Sequence, residues 1–324
     1  MKEILGRFQL LFIVLQLICI SGVVLAQAPE DEPWWPHPIW GSEDQAGGSN
    51  WITPEKIVES LALVKTGNVY ELGFVYHNDI PLIGSRVYQF NVPETGGPYG
   101  EGGMLINGET LTASIGQTGT QFDGLGHVGR RVTLENGETR DAYYNGFTTE
   151  DIYDSSGLKK LGIEHVKPII TKGILIDVAG LKGVPTLPDG YVVTMEDVRN
   201  SLERQGIDEA TITPGDALLF NFGWWRIIGD AEKYTSFNWP GVDQEVAQWV
   251  IEKQASMIGS DSSAEPPGQA GVHFDLLMKN GIFNLEFMTF ESLLATQVRE
   301  FLFVFIPLPI KGATGSPGRP IAIH

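Results

Sequence analysis

Asp123 and His127 stand four residues apart inside the glycine-rich stretch Gly116-Gln117-Thr118-Gly119-Thr120-Gln121-Phe122-Asp123-Gly124-Leu125-Gly126-His127-Val128-Gly129. Long apolar side chains are few there, so core packing is a poor explanation of the stretch. Glycines let a backbone take positive φ and approach a ligand closely. On a helical turn, residues four apart share a face, and a carboxylate beside an imidazole can hold a metal or move a proton. His273 and Glu286 form a second constellation. Leu276 and Leu277 indicate a short helix starting near His273, Asn280-Gly281 stops it, and Glu286 follows on an extended piece. An acid in so apolar a setting calls for a partner. Each residue also has a plainer role open to it: a cap or turn for Asp123, a hydrogen-bonded imidazole for His127 or His273, an ion pair for Glu286.

Gln117 and Gln121 are neutral. A carboxamide oxygen binds zinc poorly and suits harder ions such as Mn²⁺, Mg²⁺ or Ca²⁺; hydrogen bonding to loop backbone is the other use. No Gly-x-Ser-x-Gly elbow, phosphate loop or His-Glu-x-x-His occurs. The single cysteine, Cys19, lies in the N-terminal apolar run, which leaves no thiol nucleophile after it.

The central stretch resembles the signature of the cyclase family, which includes kynurenine formamidase and isatin hydrolase and reads roughly His-x-Gly-Thr-His-x-Asp-x-x-x-His. Gly119-Thr120, Asp123 and His127 match it, and Gln117 and Gln121 stand at the two earlier histidine positions. Trp40 to Glu55 is similar to the opening of one branch, Gly259 to Pro267 to the loop before the late histidine, and Gly312 to Ala322 to the C-terminal signature. The resemblance implies a mixed α/β fold, a swivelling β/β/α domain assembled as a homodimer or homotetramer. It implies metal-dependent hydrolysis of an amide, cyclic amide or ester, arylformamidase-like, as in tryptophan catabolism. By resemblance the divalent metal, Mn or Zn, falls to Asp123, His273 and Glu286 with Gln121 and Gln117, and His127 is the catalytic acid/base. Trp224 and Phe122 are candidate substrate contacts. Two alternatives stay open: a binding protein for small molecules on this scaffold, and a metal-free enzyme using Asp123 and His127 as an acid/base pair.

Composition sets the frame for those residues. The chain has 324 residues, 42% hydrophobic and 19% charged, with a formal charge of −18. That is globular composition, and so acidic a surface disfavours nucleic acid as partner. Lys2 and Arg7, the apolar run Leu10–Ile20 and Val24-Leu25-Ala26 read as a signal peptide cut after Ala26, so a secreted or periplasmic protein free of the membrane is expected. Residues 27–324 are expected to form one domain, with 27–40 as an N-terminal arm whose tryptophans dock on the same core.

The elements expected to carry the site alternate between strand and helix, as in an α/β or α+β protein. Helices are expected from Thr53-Pro54 to about Val64, from Thr194 to Gln205, and over 242–254. Strands are expected over 69–76, 173–179, 217–222, 257–261 and 301–306. Residues 84–108, polar and glycine-rich, read as an insertion loop bearing on the site, with its aromatics as pocket walls.

Overall fold

The computed structural model describes residues 33–324, so the signal-peptide reading and the first part of the arm lie outside the described residues. Nine strands make one mixed sheet: β1 (Val69–Glu71), β2 (Gln121–Asp123), β3 (Ile169–Asp177), β4 (Ala217–Asn221), β5 (Met257–Ser260), β6 (Phe283–Glu286), β7 (Glu300–Phe305), β8 (Gly315–Pro317) and β9 (Ile321–Ile323). Their order across the sheet is β1-β9-β7-β3-β4-β5-β6-β2-β8. The centre, β3 to β6, is parallel. The flanking strands pair antiparallel.

The parallel strands are short apolar runs because both faces are covered. Alternate residues supply two cores. Ile174, Ile176, Leu218, Phe220 and Ile258 pack beneath the helices Met195–Gln205 and Gln244–Glu252 through Val198, Leu202, Val246 and Val250. Leu175, Leu219, Phe283, Leu285, Phe301 and Phe303 pack on the opposite face with Phe122 and Tyr144. Local signals set the helix ends. Thr194 forms a capping box with Asp197, and Gly206 takes φ 70° to end the same helix. The first helix, Pro54–Leu61, is capped by Thr53 and stops earlier than expected.

Three expectations change. The strand at 69–76 ends at Glu71, and the strand expected from 173 begins at Ile169. Residues 84–108 are not a plain loop but carry strand pairings: Tyr88–Asn91 pairs with Thr110–Ala113, and Gly96–Tyr99 with Met104–Ile106. The arm docks on its own chain, with Trp34 donating its indole N–H to the Tyr143 carbonyl and Trp35 packed over Gly146.

Candidate active site

The site is built on one face of the β2–β6 pair. In antiparallel register Asp123 faces Asn284, Phe122 faces Leu285 and Gln121 faces Glu286. Opposed residues point the same way, and neighbours along a strand point oppositely. Gln121, Asp123, Asn284 and Glu286 therefore form a buried polar quartet, while Phe122 and Leu285 enter the core behind it. Phe122 is fully buried, its ring 4.9 Å from both Phe283 and Phe305, so it is a core residue and not a substrate contact.

Asp123 and His127 do not share a helix. Asp123 ends β2, and His127 follows in a turn closed by its N–H on the Gly124 carbonyl. The close backbone approach of the C-terminal segment explains the glycines here. A Cβ on Gly116 would lie 2.7 Å from the Gly315 backbone, and one on Gly124 2.9 Å from the Thr314 carbonyl. His127 Nε2 lies 3.7 Å from Asp123 Oδ1, with its side chain about one-quarter exposed, on the solvent side of the buried acid.

His273 enters from the other side. It closes the short helix Ala270–His273, which continues as a π-helical stretch over Phe274–Lys279. Its Nε2 lies 3.6 Å from Asp123 Oδ2, and its Nδ1 lies 3.2 Å from Glu265 Oε1. Burial disfavours the imidazolium, but the hydrogen bond and charge of Glu265, with Asp123 and Glu286 nearby, outweigh it and push the pKa up to about 9. Glu286 accepts from Ser263 Oγ and Asn284 Nδ2 on one oxygen and from Gln121 Nε2 on the other, each at 2.8 Å. Burial, and then the charge of Asp123, push its pKa up to about 7.

The structure brings Asp123, His273 and Glu286 together: one ligand atom from each lies within 4.8 Å of the others. The two glutamines border this centre with a different polarity from that of a ligand. Gln117 Nε2 donates to Asp123 Oδ1 at 2.6 Å, and Gln121 Nε2 donates to Glu286. Both carboxamide oxygens accept from Arg86, at 3.0 Å for Gln117 and 3.3 Å for Gln121. The guanidinium can only donate and the carboxylates face the other end, so the orientation of each amide follows from its partners. Neither glutamine presents an oxygen to the Asp123–His273–Glu286 centre.

Trp224 is fully buried and donates its indole N–H to the Tyr234 carbonyl, one layer behind the cleft that Tyr234 lines. It supports that wall and does not itself reach a substrate. Residues 84–108 bear on the site through Arg86; of their aromatics Phe90 and Tyr99 are exposed, and Tyr88 is buried in a stack with Tyr76. Arg86, Glu265 and Tyr234 escaped the sequence reading. Glu265 left a trace inside the loop before His273, and Arg86 inside residues 84–108, a stretch expected to bear on the site.

The sequence profile of the Cyclase family, described as "Putative cyclase", matches residues 35–264. A crystal structure described as a novel cyclase superposes with a TM-score of 0.78, at 29% identity, over 88% of this chain and 96% of its own. Isatin hydrolase A from Ralstonia solanacearum gives 0.57 at 18% identity, covering 84% and 99%. Isatin hydrolase A from Labrenzia aggregata, bound to benzyl benzoate, gives 0.57 at 17%, covering 83% and 97%. At such identities the isatin hydrolases show a shared fold. No curated protein sequence matches the chain. The profile covers more than half of the 324 residues, and the mixed α/β fold is shared with the novel cyclase: the chain belongs to the cyclase family.

Proposed function

We propose that this protein is a hydrolase of amide, cyclic amide or ester bonds that works with a divalent cation held by Asp123, His273 and Glu286. The observation that carries this reading is the state of His273. Its Nε2 is buried without a hydrogen-bond partner among the described residues and faces Asp123, while Nδ1 is tied to Glu265. A carboxylate on one imidazole nitrogen fixes the ring and leaves the other as a ligand once a cation displaces the proton that the surrounding acids hold there, the usual arrangement behind a metal-bound histidine. Two buried carboxylates facing that nitrogen complete a donor set of hard oxygens and one imidazole, suited to Mn²⁺ or Zn²⁺.

A cation in that position supplies Lewis-acid polarisation of a carbonyl. The chain's own groups do the rest. Gln117 and Gln121 hold Asp123 and Glu286 by N–H donation, and Ser263 and Asn284 fix the second oxygen of Glu286. His127, on the solvent side of Asp123, is placed to take a proton from water or return one to the leaving group. The fold shared with isatin hydrolases supports the same class of bond.

One observation favours the second reading, a metal-free acid/base enzyme: the glutamine amides and His273 already offset the charge of Asp123 and Glu286. Elemental analysis of protein dialysed against trace Mn²⁺ and Zn²⁺, followed by a screen of formamides, cyclic amides and lactones, decides. One equivalent of metal and turnover abolished by chelation are expected. Turnover that survives chelation overturns the metal role. We propose further a secreted or periplasmic protein, cleaved after Ala26, that assembles as a homodimer or homotetramer through the exposed strand pairs of residues 88–113.

A further inference from the structure

The two carboxamides beside the Asp123–His273–Glu286 centre share one partner. Half-buried Arg86 donates from Nη2 to Gln117 Oε1 at 3.0 Å and from Nη1 to Gln121 Oε1 at 3.3 Å. At their other ends Gln117 Nε2 donates to Asp123 at 2.6 Å and Gln121 Nε2 to Glu286 at 2.8 Å. A cross-link closes the network, since Gln121 Nε2 also donates to Gln117 Oε1 at 3.3 Å. Each amide thus meets a donor with its oxygen and an acceptor with its nitrogen. Turning either one over would set its NH₂ against the guanidinium and its oxygen against a carboxylate. The cleft beside Arg86 is a cavity of about 10 Å³ walled by Ile83 and Phe287, room for about one water. No substrate fits between the guanidinium and the amides, so Arg86 reaches the centre through the glutamines.

We propose that Arg86 is a positioning residue that keeps both amide oxygens turned away from the acids, so that a cation meets Asp123, His273 and Glu286 alone and Zn²⁺ is favoured over the oxygen-demanding Ca²⁺. The inference rests on the cation reading and adds to it the residue that sets which ion is held. In the empty site the carboxylates themselves attract the amide nitrogens. A cation on those carboxylates reverses the attraction, because it repels N–H dipoles and draws a carbonyl oxygen. The guanidinium then still holds both oxygens outward, since it can only donate. Ca²⁺ takes about 6–8 oxygen ligands and Zn²⁺ about four ligands in all. Withholding two carboxamide oxygens therefore costs Ca²⁺ more than Zn²⁺.

The test measures Zn²⁺ and Ca²⁺ affinities by competition with chelators of known affinity. It compares the full protein, Arg86→Met, Arg86→Lys, and the pair Gln117→Met with Gln121→Met, the pair also combined with Arg86→Met. Loss of a positive charge raises the affinity for both ions, so the ratio of the two is the readout. Arg86→Met is expected to shift the ratio about tenfold toward Ca²⁺, the effect of one recovered oxygen contact to a charged partner. Arg86→Lys still donates to the oxygens and should stay near the parent. Without the glutamines, Arg86→Met should leave the ratio unmoved. A ratio unchanged by Arg86→Met overturns the proposal, and so does a shift that persists without the glutamines. Arg86→Ala reads the same loss should Arg86→Met not fold. NMR of the metal-free protein gives a second reading: the side-chain amide protons of Gln117 and Gln121 should exchange with water faster in Arg86→Met than in the parent, and equal rates overturn the clamp. A parent that binds neither ion sinks the cation reading and the selectivity built on it, and amide exchange then decides the clamp. A parent that binds Zn²⁺ with a ratio indifferent to Arg86 keeps the cation reading and sinks the clamp.

Discussion

Gln117 stands 2.6 Å from Asp123, with its amide nitrogen toward the carboxylate and its oxygen toward Arg86. This one orientation separates the residues that face the centre as acceptors from those that hold them. Asp123→Asn and His273→Ala should each lower cation occupancy, measured by elemental analysis after equilibrium dialysis. His127→Ala should leave occupancy unchanged and reduce turnover by about 10²- to 10⁴-fold, the usual contribution of a positioned acid/base. Normal turnover in His127→Ala removes its proposed role.

Among the described residues Glu265 makes its hydrogen bond to the centre through His273 Nδ1. Glu265→Gln keeps the size of the side chain and weakens its hold on the imidazole tautomer. Cation affinity should fall about 10- to 100-fold, the range for a lost partner behind a metal ligand. Competition with a chelator of known affinity reads the change, and unaltered affinity would show that Glu265 is a spectator.

Much of this architecture is legible in the sequence because the signals are local. Thr194 and Gly206 mark the ends of their helix through a cap and a positive φ, and the apolar run at 217–222 is a buried strand. Asp123, His273 and Glu286 stand out as polar groups in apolar or glycine-rich settings, and they do converge. Phe122 was legible in principle. Once Gln121-Phe122-Asp123 is read as a strand, alternation sends Phe122 away from its neighbours; only the assumption of a helical turn hides this. Arg86 and Tyr234 carry no such signal. Arg86 matters through the two glutamines it donates to and Tyr234 through its buried hydroxyl, and both are visible only when residues far apart in sequence are brought together.

The strand pairs at 88–113 leave Phe90, Tyr99, Met104, Leu105, Ile106 and Leu111 exposed. A two-stranded ribbon is marginal in water by itself, and so dense an exposed apolar surface supports the proposed assembly through these strands. The native protein should run above the 35.5 kDa chain mass in light scattering, and Leu105→Glu with Ile106→Glu should shift it toward monomer. A monomeric parent at micromolar concentration contradicts the assembly.

Asp261 is fully buried and accepts from the backbone N–H groups of Phe222 and Trp225. Burial dominates over those bonds and pushes its pKa up to about 7, above the unfolded value of about 3.9. Between those values the folded chain holds a proton that the unfolded chain has released. The contribution of Asp261 to stability is therefore full at low pH and is lost as pH rises toward 7. Melting temperatures of the parent and of Asp261→Asn across pH 4 to 8 should show the difference: the variant lacks this share of the slope. Parallel curves would mean that Asp261 does not titrate in that range.

Lys56 on the first helix reaches Asp216 in the turn just before β4, 2.5 Å from Nζ to Oδ1, and also donates to Thr213 Oγ1. Both residues are buried, and burial raises the pKa of Asp216 even with the ammonium beside it. A pair of this kind is strongly destabilising to break, because the remaining charge has no water. Lys56→Met keeps the aliphatic stem and removes the charge. It should cost about 3–5 kcal/mol and lower the Tm by about 5–8 °C for a chain of this length. Adding Asp216→Asn removes the stranded carboxylate and should recover part of the loss, since the penalty belongs to the unpaired ion and not to the lost contact. If the double variant is no more stable than Lys56→Met, the helix is anchored by packing and the ion pair is incidental.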